Sequence, residues 1–223
     1  QIRLYEKESL IEYKIQYTES DLDFIHRLLS DAGIYYFFIH DKNKHIMILA
    51  DAPASHPKAV HDKMEYLPSK NLKESHHGYM TEWSAIENLK CPSVTLSGYN
   101  DSNINEITIT SESIVMDVAV GKGIYEDIIP EGKREFIQKR SEAVMASCDS
   151  EIKRWYGKTN SWWLSCGECF SLDKQEYRIT SLHINAVNNY LDNTAYCNCD
   201  LSASDNDSAI KFKSKYNIPV IPG

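Results

Sequence analysis

Cys166, Cys169, Cys197 and Cys199 are the residues whose type and spacing could do chemistry. Cys166-Gly-Glu-Cys169 has the C-x-x-C spacing, and Cys197-Asn-Cys199 could complete four thiolates around a tetrahedral zinc. A zinc site is ordinarily built from two knuckle-like turns, whereas Cys197 and Cys199 fall in an apparent strand, where positions i and i+2 share a face. A thioredoxin-like redox role needs C-x-x-C at the opening of a helix in a βαβ setting, and here it precedes the strand-like Phe170-Ser171-Leu172. The expectation is buried or idle thiols. A zinc-binding or enzymatic module using Cys166, Cys169, Cys197 and Cys199 is the alternative of another class.

The eight histidines include His76-His77 and the pair His40 and His45, which should face one another across a turn. None has a metal partner at a recognisable spacing. The sequence lacks H-E-x-x-H, G-x-S-x-G, a phosphate-binding glycine loop and a dinucleotide fingerprint, and Gly121-Lys-Gly123 reads as a turn. Asp21 and Asp23 are explained by a helix start and Glu126 and Asp127 as exposed turn acids, so no acid and base are singled out. Lys211, Lys213 and Lys215 read as a solvated linker, and Tyr35 to Phe38 as core rather than a stacking platform. No catalytic residue, cofactor-binding residue or metal ligand is assigned, and no cofactor is expected.

The chain that must position these groups has 223 residues, 42% hydrophobic, enough for one large β-rich domain or two small ones. A formal charge of −8, spread along the chain, disfavours a nucleic-acid partner. The longest apolar run, Ile34 to Ile39, is six residues, far short of the roughly 20 a spanning helix needs. The chain opens on Gln1 without a leader and reads as a fragment, and six cysteines are too sparse for a secreted disulfide scaffold.

Ser20, with Asp23 three residues on, predicts a capped helix carrying Leu22, Ile25, Leu28, Leu29 and Ala32 on one stripe and closed by Gly33. From Ile34 the period changes, and Ile34 to Ile39 with Ile46 to Ala50 predict a hairpin covered on both faces. Residues 52 to 78, with three prolines and no periodicity, read as connector. Strands are expected over 81–85, 93–99 and 106–120. A helix is expected between Glu131 and Tyr156, with Ile137, Val144, Cys148, Ile152 and Trp155 on its buried stripe. Further strands follow over 162–172, 176–185 and 195–201.

The run from Tyr13 to Phe38, with Gln16-Tyr17-Thr18-Glu19-Ser20-Asp21, Asp23-Phe24, Arg27-Leu28 and then Gly33-Ile34-Tyr35-Tyr36-Phe37-Phe38, resembles the VgrG family of type VI secretion spike and hub proteins. Leu164, Gly167, Phe170 and Leu172, the segment Tyr177 to His183, and the closing Pro219-Val220-Ile221-Pro222-Gly223 are similar to later motifs of that family in the same order. On this alignment Cys166 stands where the family carries proline, and Cys169 at a variable position in a turn entering a strand.

The resemblance implies an α+β fold, mainly antiparallel β: a helix-plus-hairpin insertion (residues 1–78), a tail-tube-like β-barrel with a packed helix (79–203), and a linker (204–223) toward a needle domain. It implies a structural hub, not an enzyme. It further implies a homotrimer on an Hcp-type tube with baseplate components as partners, assembled in the cytoplasm and then secreted or injected into a target cell. A hub protein of a prophage or other contractile tail would carry the same motifs.

Overall fold

The computed structural model describes residues 1–5, 14–68, 78–100, 105–115, 121–128, 134–188 and 196–206. Its first unit is a three-stranded sheet with a helix. A short strand β1 (Ile2–Arg3) precedes helix α1 (Asp21–Asp31), which leads into β2 (Tyr35–Asp41) and β3 (Lys44–Ala50) in the order β1-β3-β2. The helix begins where Ser20 Oγ accepts the Asp23 amide at 3.2 Å, with Asp21 and Asp23 at the positive end of the helix dipole. It ends in a Schellman motif: Ile34 N–H donates to Leu29 O (2.8 Å) and Gly33 N–H to Ser30 O (3.0 Å), with Gly33 at φ +69°.

Two expectations for this unit change. Leu22 and Ile25 are exposed, and the helix instead buries Arg27 and Asp31, four residues apart. Arg27 is held there by the Glu19 carboxylate and by Ile15 O. The hairpin registers as expected, His40 opposite His45 and Phe38 opposite Met47. One face, Tyr35, Phe37, Ile48 and Ala50, is core, but cover on the other face does not reach Phe38 and Met47, each more than 40% exposed.

A 3-10 turn at Pro53–Ser55 leads into β4 (Lys58–Tyr66), inside the segment expected to be connector. No period-2 apolar alternation announces β4, because only Ala59 and Met64 of its residues are buried. Next come β5 (Tyr79–Glu87), β6 (Ser93–Asn100), β7 (Asn105–Glu112) and β8 (Ile124–Ile128). Glu126 and Asp127, expected in a turn, lie in β8, which pairs parallel with β6. The sheet β7-β6-β8 is covered by α2 (Arg134–Ser150), whose Ile137, Val144 and Met145 pack on Val94 and Leu96.

The second helix is shorter than expected. It stops at Ser150, and Trp155 belongs to strand β9 (Lys153–Thr159). Then come β10 (Cys169–Leu172), β11 (Gln175–Val187) and β12 (Tyr196–Asp205). Residues 162–168, expected in a strand, are turn and loop, whereas Ser204 and Asp205, expected in a linker, complete β12. Strands β10-β11-β12-β9-β5-β4 close a six-stranded barrel, so the barrel draws on residues before position 79 as well as after it.

The fold is therefore α+β with mainly antiparallel pairing. Parallel contacts occur at β1/β3, β4/β5, β4/β10 and β6/β8. The barrel core is aromatic. Trp83 stacks on Trp155 with centroids 5.3 Å apart, and Tyr177 packs edge-on to both. Gly157 makes room for this: a Cβ there would stand 2.6 Å from the Trp83 ring. Closure leaves no sheet edges on the barrel. Among the described residues no helix is long and apolar enough to cross a membrane.

Candidate functional site

The four cysteines do not converge on one centre, although Cys197 Sγ and Cys199 Sγ approach to 3.6 Å. Cys169 lies opposite Arg178 on β11, while Cys199 lies opposite Ile184 of the same strand. Six residues of strand span about 20 Å, and a zinc ion reaches each sulfur at about 2.3 Å. Cys169 Sγ instead donates to Asn206 Oδ1 (3.2 Å) and Cys199 Sγ to Ser161 O (3.6 Å). Burial pushes the thiols of Cys166 and Cys169 up, and that of Cys199 up to about 12, so the thiolate that a metal or an electrophile needs is disfavoured. Among the described residues no three His, Cys, Asp or Glu side chains cluster as metal ligands. His76-His77, Lys211, Lys213, Lys215 and the segment Pro219 to Gly223 lie outside the described residues.

The most constructed polar site is the seam between the first sheet and the barrel. It begins at Gly167, φ +86°, in the turn ahead of β10. A Cβ there would stand 2.6 Å from the Phe37 ring, so glycine alone admits both the backbone conformation and the aromatic neighbour. His56, set by the Pro53–Ser55 turn, lies against Phe37 (centroids 4.5 Å) and Tyr35 (5.5 Å), parallel to both rings within 20°. Its Nδ1 is 2.7 Å from Gly167 O, which can only accept, so Nδ1 carries the proton. Nε2 is 2.8 Å from the Tyr35 hydroxyl, which also reaches Ala52 O at 3.0 Å.

Burial dominates the electrostatics here. It lowers His56 to about 4 against the help of its bond to Gly167, with Arg178 and Arg3 adding repulsion. It also raises Tyr35 to about 12. Arg178 is fully buried, donates to Asn206 O and Ser204 Oγ (3.3 Å each), and is pulled below its ordinary value by desolvation, opposed by Tyr35 and Cys169. Arg3 ties β1 to the same seam, donating to Ser55 O at 2.8 Å while Ser55 Oγ donates to Arg3 O at 3.0 Å.

A cleft of about 430 Å³ opens over this seam, lined by Pro53, His56, Lys58, Cys169, Glu176 and Asn206 among others. Its polar groups are already committed to one another. Lys58 and Glu176 form an ion pair at 2.8 Å, His56 uses both nitrogens, and the Cys169 thiol bonds Asn206. Burial holds the Cys169 thiol toward its protonated form, away from an activated thiolate. The arrangement fastens two units of structure together.

Sequence reasoning did not single out His56 or Arg178. The available signals were Gly167, inside the C-x-x-C motif, and Arg178, inside the Tyr177 to His183 motif. A second fastening joins the helices, with Arg140 of α2 donating to Asp31 of α1 at 2.7 Å.

The fold is a closed barrel flanked by a helix-hairpin sheet, with buried polar groups joining the two. The chain belongs to the phage tail baseplate hub (GPD) family, whose model matches residues 1–190. The VgrG resemblance is also borne out. The chain is 35% identical over 91 residues to the type VI secretion system spike protein VgrG1c of Pseudomonas aeruginosa. That match covers 40% of this chain and 12% of the relative, so the chain corresponds to a small part of the length of such relatives.

Among solved structures, a tail protein of Neisseria meningitidis superposes with a TM-score of 0.64 at 10% identity, covering 93% of this chain and 63% of that one. An E. coli component of the type VI secretion system, similar to T4 tail proteins gp27 and gp5, superposes at 0.54 and 15% identity, covering 99% and 46%. At these identities the likeness is one of fold.

Proposed function

We propose that this chain is the hub portion of a type VI secretion spike, assembling as a homotrimer at the tip of an Hcp-type tube to deliver effectors. The observation that carries the reading is the 35% identity to a type VI spike protein across 91 residues, set on a hub fold. In this reading residues 1–78 contribute the helix-hairpin insertion, 79–203 most of the barrel unit, and 204–223 a lead toward a needle. The role is architectural rather than enzymatic. The partners are two further copies, the tube protein and baseplate components, and the spike assembles in the cytoplasm before export or injection.

Two features support assembly. Among the described residues, the outer strands β7 and β8 of the sheet β7-β6-β8 each have one edge without a strand partner, a feature that neighbouring subunits in a ring can satisfy. Leu22, Ile25, Phe38 and Met47 are also exposed on the first unit. Mass measurement on the full-length protein tests the reading: a trimer that co-purifies with the tube protein is expected, and a stable monomer would sink it. The match of the baseplate hub family to residues 1–190 equally favours a hub of a prophage or other contractile tail. Neighbouring genes for a secretion apparatus or for phage structural proteins separate the two.

A further inference from the structure

The tip of the hairpin carries two imidazoles with no part in either fastening. His40 and His45 are direct partners across β2 and β3, one position inside the Asp41/Lys44 pair that closes the turn. Their Nδ1 atoms are 2.7 Å apart, with ring centroids at 4.9 Å and planes at 70°. Both residues are exposed, and the ring of Phe38 lies alongside His40 (6.3 Å, 21°). Asp41, their neighbour, has its carboxylate on the Lys42 amide at 2.7 Å.

We propose that His40 and His45 chelate a divalent transition-metal ion through their two Nδ1 atoms. As drawn, one imidazole Nδ1–H donates to the Nδ1 lone pair of the other; for chelation the donor ring shifts its proton to Nε2 through solvent, so that both neutral rings present Nδ1 lone pairs to the ion. Imidazole nitrogens bind such ions at about 2.0–2.1 Å, so an angle near 90° at the metal needs the nitrogens about 2.9 Å apart and a tetrahedral angle about 3.3 Å. The first lies a few tenths of an ångström from the present separation. Imidazole ligands suit Ni²⁺, Cu²⁺ and Zn²⁺ in class, and the exposed rings can open from their hydrogen-bonded separation to either value. Water would fill the remaining positions, and the nearby cations Lys42 and Lys44 would keep the affinity modest. An ion held here would cross-link β2 to β3 at their open end.

The test is calorimetric titration of Ni²⁺ alone into the full chain and into His40→Gln and His45→Gln. Both positions are exposed, so circular dichroism should report the same fold in all three. One equivalent should bind the parent chain, with affinity on the order of tenfold or more weaker in each variant. In NMR spectra, sub-stoichiometric Ni²⁺ should broaden the His40 and His45 ring signals before those of the other histidines. Equal binding by parent and variants, no binding by the parent, or first broadening elsewhere would each overturn the site.

Discussion

His56 Nδ1 meets Gly167 O at 2.7 Å across 111 positions of sequence, joining the turn after the hairpin to the turn that opens β10. The imidazole lies between these groups as a neutral ring in a buried seam, so the seam carries its own response to acid.

Because burial lowers His56 from 6.5 to about 4, the unfolded chain binds the proton more readily than the folded one between those values. Stability from this residue is full above pH 6.5 and is lost as pH falls toward 4. The loss at pH 5 should be up to about 2 kcal/mol, read as a lower urea midpoint than at pH 7.5. His56→Gln should flatten that part of the profile; an unchanged slope would remove His56 as its source.

Gly167→Ala should cost about 2–4 kcal/mol, combining a positive-φ penalty with a Cβ driven into the Phe37 ring. Gly121→Ala, also at positive φ but with open space around it, should cost only about 1–2 kcal/mol. Thermal unfolding of the two variants compares strain alone with strain plus collision. Equal losses would mean that Phe37 moves aside without cost.

Arg140→Met removes the α2 partner of Asp31 and leaves a carboxylate that is 8% exposed without that cation. A loss of about 3 kcal/mol is expected, with most of it recovered in the double variant Asp31→Leu/Arg140→Met. A double-mutant cycle with coupling below about 0.5 kcal/mol would show the pair to be incidental.

Lys174→Gly should stabilise the chain by about 1 kcal/mol. Asp173 and Lys174 both hold positive φ (+51° and +71°) in the two-residue turn between β10 and β11, a conformation in which glycine carries no Cβ penalty. A raised melting temperature with an unchanged denaturant m-value checks it.

The elements most legible in the sequence were those whose cause is local. The Ser20 cap and the Gly33 Schellman end bound α1, and the two apolar runs around Asp41 to Lys44 set the hairpin register that brings His40 to His45. Legibility failed where burial depends on a distant partner. Ile152 and Trp155 fall on the helical stripe by spacing, yet Trp155 enters β9, where it stacks on Trp83 in the barrel.

The sequence by itself determined the hub motifs, the capped helix and the hairpin, because caps, turns and alternation act over a few residues. Only the tertiary structure decided that β4 closes the barrel between β5 and β10 through parallel pairs, which no tight turn can announce. It alone also decided that the C-x-x-C pair and the Cys197/Cys199 pair do not form one four-thiol site, while His56, Gly167 and Phe37 meet. Those outcomes depend on which distant strands become neighbours, and that is settled by filling the barrel and covering the sheets.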